Sequence, residues 1–271
     1  MALQERRSHP RPAAAPAFIA AIDSDASALD RAVAADVLLR HIFVPPAQTV
    51  PGLQYAAIYR FAEKHSGGDI IDVYRCTNSD VCFSLTDISG KGVTAALHAG
   101  LVKYGIRAYA TEDHEPRDVL RNLNRFYCGN DAFEGKDSFA SVFFARYCPA
   151  ERELHYGSAG HEGLVFFSPH GDARALAPTG PVVGVIEDEP QMYADGLLRV
   201  EPGSVLVAVS DGITEAHSDG GFFEMEGLVG AAREHLERSV EDLACSIARA
   251  ASAFAGNRVI DDMAVLAVRF E

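Results

Sequence analysis

VCFSLTDISGKGVTAAL, residues 81–97, changes its period midway, and that change decides the fold. Val81, Phe83 and Leu85 alternate with smaller or more polar neighbours, the pattern of a half-buried strand, and the strand runs straight into Asp87. Beyond Gly92, apolar or small residues recur at Val93, Ala96, Leu97, Leu101, Tyr104 and Ala108, on one helical face. A strand therefore delivers a carboxylate to its end, and the chain turns through glycines into a helix.

Reading outward, Leu53, Tyr55, Ala57, Tyr59 and Phe61 alternate as a strand, Gly67-Gly68 make a sharp turn, and Ile70–Arg75 read as a second strand. Downstream, Pro116 suits the first turn of a helix carrying Val119, Leu120, Leu123 and Phe126. Residues 138–147 and 153–158 read as a strand pair around Pro149, and Leu164–Phe167 as a short strand. A polar, Gly- and Pro-rich loop is expected over Ser168–Pro202. Val205–Val209 form a buried strand ending at Ser210-Asp211-Gly212; helices over 224–237 and 239–254 precede a last strand, Met263–Phe270. Strands, two helices, strands, two helices, strand is not βαβα alternation. It predicts an α+β fold of antiparallel sheets with helices outside.

Upstream, Leu29, Val33, Val37 and Ile42 mark a helix over 25–43 that Pro45-Pro46 stop. Residues 1–22 are rich in Pro and Ala and read as a disordered leader. The apolar stretch after Arg6-Arg7 is broken by Pro16, which argues against a signal peptide.

The 271 residues are 48% hydrophobic and 23% charged, enough for a sizeable core. Lys and Arg number 24 against 38 Asp and Glu, a formal charge of −14, which argues against nucleic acid or an anionic membrane as partner. Cys76, Cys82, Cys128, Cys148 and Cys245 form no C-x-x-C, so neither a zinc site nor a disulfide framework is suggested, and reduced cytosolic thiols are the plain expectation. No apolar run approaches the roughly 18 residues of a membrane span.

Four acidic landmarks sit where an apolar run meets a glycine or a turn: Gly67-Gly68-Asp69, Asp87-Ile88-Ser89-Gly90-Lys91-Gly92, Ser210-Asp211-Gly212 and Asp261-Asp262. Each alone is weak, because Asp-Gly is a common turn dipeptide. Together they place carboxylates at separate strand ends, as hard oxygen donors for two divalent cations. Magnesium and manganese take oxygen ligands and keep several waters, so few protein carboxylates suffice. Two such ions roughly 3.5–4 Å apart share a water, lower its pKa and clamp a phosphate in line. Two other readings fail. A P-loop would need a glycine where Leu85 stands and Ser or Thr where Gly92 stands. A serine-hydrolase elbow would need a glycine where Tyr156 stands.

The runs Ser66-Gly-Gly-Asp-Ile-Ile-Asp and Thr86-Asp-Ile-Ser-Gly-Lys-Gly-Val-Thr-Ala-Ala-Leu resemble the SpoIIE/RsbU-like bacterial branch of the PPM-type protein phosphatases. So do Tyr156-Gly-Ser-Ala-Gly-His, Thr179-Gly-Pro, Val209-Ser-Asp-Gly-Ile-Thr-Glu-Ala and Asp261-Asp-Met-Ala-Val-Leu, and the likeness extends from Val44 to Phe270. It implies a four-layer α/β/β/α sandwich over residues 46–271, with a helix at 23–45 that either regulates or merely packs. It implies metal-dependent dephosphorylation of phosphoserine or phosphothreonine in a protein. The nucleophile would be a hydroxide bridging two Mn2+ or Mg2+ ions, with no phosphoenzyme. Carried over by position, Asp87 would bridge both ions, Asp211 and Asp261 would complete the first ion's shell, and Asp69 with the Ile88 carbonyl would serve the second. The family pattern favours Asp261 over the adjacent Asp262. Asp87 and Asp211 would be the catalytic pair.

His161 and Lys91 would face substrate, His161 by orienting a water or shaping the pocket and Lys91 by attracting phosphate at a helix start. The chain departs from the family at Ser66, where a small apolar residue is usual, and at Ser158, where Asn is more common. Neither departure removes a proposed ligand. The implied substrate is a STAS-type anti-anti-sigma protein in a cytoplasmic partner-switching pathway, with control by a partner or by homodimerisation through the 25–43 helix. The competing expectation is a non-catalytic binding module that keeps the fold.

Overall fold

Successive side chains of a strand point to opposite faces, and here both faces of both main sheets find cover. The computed structural model describes residues 45, 50, 52–62, 68–76, 79–90, 93–112, 115–130, 138–187, 189–259 and 261–271, all within the unit Leu39–Glu271. The expected leader over 1–22, the helix over 25–43, Ser66 and Lys91 lie outside the described residues.

Strands β1 (Leu53–Arg60), β2 (Asp69–Arg75) and β3 (Val81–Ile88) lead into α1 (Val93–Tyr109), a 3-10 turn (Ala110–Glu112) and α2 (Pro116–Cys128). Then come β4 (Ala140–Cys148), β5 (Glu153–Ala159), β6 (Leu164–Phe167), β7 (Ala173–Ala175), β8 (Gly196–Arg199) and β9 (Val205–Val209). The short α3 (Asp211–Thr214), a hairpin of β10 (His217–Ser218) and β11 (Gly221–Phe222), α4 (Glu224–Arg233), α5 (Val240–Phe254) and β12 (Met263–Phe270) complete the order. One sheet runs β1-β12-β9-β6-β7 and the other β2-β3-β4-β5-β8, with every neighbouring pair antiparallel.

The expected α/β/β/α sandwich is the one formed. Phe83, Leu85, Phe143, Leu206 and Leu266 fill the space between the sheets. Val205, Val207 and Val209 turn the other way, onto Leu228, Leu243 and Ile247 of α4 and α5. Ile70, Val142 and Phe144 pack outward against Val102, Ile106, Leu120 and Leu123 of α1 and α2. Cover on both faces explains why β9 is a continuous apolar run rather than an alternating one.

Three expectations are corrected. The face of α1 that the apolar spacing marks is not the face that packs. Leu97, Leu101 and Tyr104 are 65%, 39% and 56% exposed, while Ala95, Ala99, Val102 and Ile106 are buried. The cause lies on the outer face of β2. Buried Asp72 accepts two hydrogen bonds from Arg107, at 2.6 and 2.8 Å, and lies 3.5 Å from Lys103 Nζ. A buried carboxylate needs cationic partners, and meeting them turns the Lys103 side of the helix inward.

The loop over Ser168–Pro202 contains β7 and β8. β7 is an edge strand with no buried side chain and β8 has one, Leu198, so neither shows alternation. Finally, Cys76 and Cys82 are joined as a disulfide, with Cα atoms 6.0 Å apart, against the expectation of free thiols throughout. Tyr74 pairs with Cys82 across β2 and β3, and the Cys76 amide donates to the Asp80 carbonyl at 2.9 Å. That hairpin brings together residues six apart, a spacing that a C-x-x-C search does not sample.

Candidate metal centre

β2 begins and β3 ends at the same edge of their sheet, and Asp69 pairs with Asp87 directly across it. Strand parity puts both carboxylates on the inner face, Asp87 with Phe83 and Leu85, and Asp69 with Ile71 and Val73. In the other sheet β9 ends at Ser210 and Asp211 while β12 begins just after Asp261 and Asp262, with Val209 and Val265 in register. β2 and β12 touch across the sandwich. Four strand ends thus meet at one mouth.

The carboxylates feel one another there. Burial pushes Asp69 well above the usual carboxylate range, as do Asp87, Asp211 and Asp262, while a hydrogen bond with Ser210 works the other way. Burial likewise pushes Asp87 up to about 7; Asp211 and Asp261 add to this, Asp262 adds less, and a hydrogen bond with Asp69 opposes it. All five proposed carboxylates are therefore brought together.

Two glycines make the approach feasible. A Cβ at Gly68 would lie 2.7 Å from the Ile88 carbonyl oxygen and 3.5 Å from Asp87 Oδ1. A Cβ at Gly212 would collide with the Asp262 carbonyl. The Ile88 amide donates to the Gly68 carbonyl at 3.1 Å, tying the Ile88 backbone to the β2 entry.

The adjacent pair Asp261 and Asp262 differ in setting. Asp262 is buried, and its Oδ2 accepts from the Tyr59 hydroxyl at 2.7 Å and its Oδ1 from the Ala62 amide at 2.7 Å. Asp261 is half-buried; its Oδ1 accepts from the Asp262 amide at 2.9 Å, and it lines a cavity together with Asp211. Ser210 joins the end of β9 to the start of β12 within one sheet. Its hydroxyl accepts from the Ala264 amide at 2.9 Å and lies 3.3 Å from the Asp262 carbonyl.

His161 is buried. Its Nδ1 lies 3.0 Å from Ser141 Oγ, and Ser141 pairs with Asp87 across β3 and β4. Ser158 fixes its backbone, donating to the His161 carbonyl at 2.6 Å and accepting from its amide at 3.2 Å. Burial lowers the imidazole to about 4, with only partial opposition from the Val209 carbonyl, so the ring is neutral at neutral pH. Tyr59, Ser141 and the hydroxyl of Ser210 escaped the sequence reading. Tyr59 reads only as one more apolar member of an alternating strand, and the cross-strand partner of a strand aspartate has no fixed sequence offset.

The donor set fits a hard divalent cation. It is all oxygen, and Asp69 Oδ2 is buried without a hydrogen-bond partner. Hydrogen bonding alone leaves that atom unsatisfied.

The family model for Stage II sporulation protein E (SpoIIE) matches residues 77–271. The chain belongs to the SpoIIE family. Among curated proteins it is similar to phosphoserine phosphatase RsbU of Bacillus subtilis, 29% identical over 208 residues, 76% of this chain and 60% of that protein. It therefore spans less than two thirds of that relative's length. Among solved structures, the SiaA-PP2C domain of Pseudomonas aeruginosa superposes with a TM-score of 0.73 at 17% identity, covering 91% of this chain and all (100%) of that one. The RsbU and RsbW domains of Rv1364c from Mycobacterium tuberculosis superpose with a TM-score of 0.71 at 20% identity, over 85% of this chain and 62% of that one.

Proposed function

We propose that the protein is a metal-dependent phosphatase acting on phosphoserine or phosphothreonine in a protein substrate. The observation that carries this is the convergence of Asp69, Asp87, Asp211 and Asp261 on one mouth, with a buried Asp69 oxygen that no hydrogen bond satisfies. In this reading Asp87 serves two divalent ions, Mn2+ or Mg2+, Asp69 and the Ile88 carbonyl serve one, and Asp211 and Asp261 the other. Asp261 is assigned over Asp262 because both oxygens of Asp262 already accept hydrogen bonds from Tyr59 and Ala62. Asp262 instead braces the loop that carries Asp261.

Bound divalent ions lower the pKa of water and neutralise charge developing on a phosphoryl group. The protein's own part is positional. The β2–β3 pairing fixes Asp69 against Asp87, Ser210 locks the end of β9 to β12, and neutral His161 with Ser141 backs the Asp87 strand. Lys91 would attract phosphate.

The finer reading is a STAS-type anti-anti-sigma substrate in a partner-switching pathway in the cytoplasm, supported by the SpoIIE family and the RsbU likeness. A regulatory partner or a homodimer would act through residues 23–45. Among the described residues no helix is long and apolar enough to cross a membrane, and the net charge of −14 disfavours nucleic acid. The test is incubation with phosphorylated STAS proteins encoded near its gene, with and without manganese. Manganese-dependent loss of phosphate from one of them supports the reading. Retention of phosphate on all of them rules out this substrate class.

A further inference from the structure

Beside the acidic mouth lies a cavity of about 180 Å3, whose lining includes Asp211, Glu215, His217, Phe222, Arg258 and Asp261. Two of these residues, Asp211 and Asp261, are proposed ion ligands. At about 30 Å3 per water the cavity holds about six waters, well below the roughly 300 Å3 at which pockets for drug-sized ligands begin. That is room for a small hydrated anion, not for a cofactor.

Among the described residues Arg258 is the one Lys or Arg in that lining. It is exposed, on the loop between α5 and β12, where its amide donates to the Ala255 carbonyl at 3.4 Å. Among the described residues its guanidinium forms no ion pair, although three carboxylates share the cavity. Its fork of donors, the geometry that binds a phosphate through two parallel hydrogen bonds, is therefore uncommitted beside the candidate ligands.

We propose that Arg258 binds the non-bridging oxygens of the substrate's phosphoryl group, which this cavity seats against the ions. The inference rests on the phosphatase reading and deepens it. Charge makes the seat conditional. Asp211, Glu215 and Asp261 together outweigh one arginine and repel a dianion, whereas the divalent ion that Asp211 and Asp261 would hold cancels that excess negative charge. Phosphate binding should therefore require the metal, and Arg258 should set its strength.

The experiment is calorimetric titration of inorganic phosphate into the manganese-loaded full chain, wild type, Arg258→Ala and Arg258→Lys. Manganese affinity and steady-state hydrolysis of a phosphoserine peptide are measured on the same samples. Arg258→Ala should weaken phosphate binding about tenfold to a hundredfold, as expected for hydrogen bonds to a charged group, and raise KM alongside. Arg258→Lys should fall between, keeping charge but losing the fork, and manganese affinity should not change. Phosphate binding and KM unchanged in Arg258→Ala would overturn the inference while leaving the phosphatase reading intact. Loss of manganese binding in Arg258→Ala would also overturn it, by making the residue structural. A manganese-loaded wild type that neither binds phosphate nor cleaves the peptide would overturn both.

Discussion

Asp69 and Asp87 stand directly opposite each other on adjacent antiparallel strands, both facing the inside of the sandwich, with Asp69 only 3% exposed. Like charges in that relation are destabilising, and burial sharpens the cost. In the proposed reading a divalent ion held by both would remove it. At an ion concentration a hundred times its Kd the stabilisation is about 2.7 kcal/mol, which for a domain of this size raises Tm by about 5–10 °C. Differential scanning fluorimetry should show that rise with manganese or magnesium in the wild type and little of it in Asp87→Asn. Without metal, Asp87→Asn should melt higher than the wild type, because it relieves the repulsion.

The same pair sets a pH dependence. Asp87 titrates near 7 when folded, against about 3.9 for an unfolded Asp. Between these values the metal-free native state holds more protons than the unfolded state, so stability falls as pH rises from about 4 to about 7. Asp69 is shifted in the same direction. His161 acts oppositely: its folded value near 4 lies below the unfolded 6.5, so its contribution is lost as pH drops through that window. Subtracting the Tm-against-pH curve of Asp87→Asn from that of the wild type isolates the carboxylate. That difference should become more negative as pH rises, and saturating manganese should abolish the trend.

Asp261 and Asp262 should separate cleanly. Asp261→Asn should lower manganese affinity with little change in metal-free Tm. Asp262→Asn should first cost stability, about 1–3 kcal/mol by chemical denaturation, because the Tyr59 hydroxyl and the Ala62 amide bond to its carboxylate. Tyr59→Phe should reproduce part of that loss. Equal losses of manganese affinity in the two Asn variants would contradict the assignment.

On the outer face of β2, Asp72 holds Lys103 and Arg107 of α1. Asp72→Ala removes the buried carboxylate that pairs with Lys103 and Arg107 and should cost about 3–5 kcal/mol. Leu97→Ser, on the exposed face of the same helix, should change stability by less than about 0.5 kcal/mol. Urea denaturation of the two variants measures both.

These two helix faces mark where sequence reading succeeded and where it stopped. The period change from Val81 to Leu97 located β3, the turn and α1; the order of elements yielded antiparallel sheets with helices outside, and the family resemblance implied the four-layer sandwich. Spacing could count apolar residues on α1 but could not register that Asp72, on a different element, would pull Lys103 and Arg107 inward. At the site the aspartates were legible because each ends a strand beside a turn. Tyr59, Ser141 and Ser210 were not, because what recruits them is strand register and sheet-to-sheet contact. β7 and β8 escaped for a simpler reason: short edge strands bury too little to leave a pattern.

The most direct test of the central claim is phosphate release from a phosphoserine peptide by the wild type and Asp87→Asn, each with manganese and after chelation. The carboxylate mouth predicts release by the wild type only when metal is present, and a fall of about a hundredfold or more in Asp87→Asn. A folded, manganese-binding wild type that releases no phosphate, or release that continues undiminished in Asp87→Asn, would contradict it.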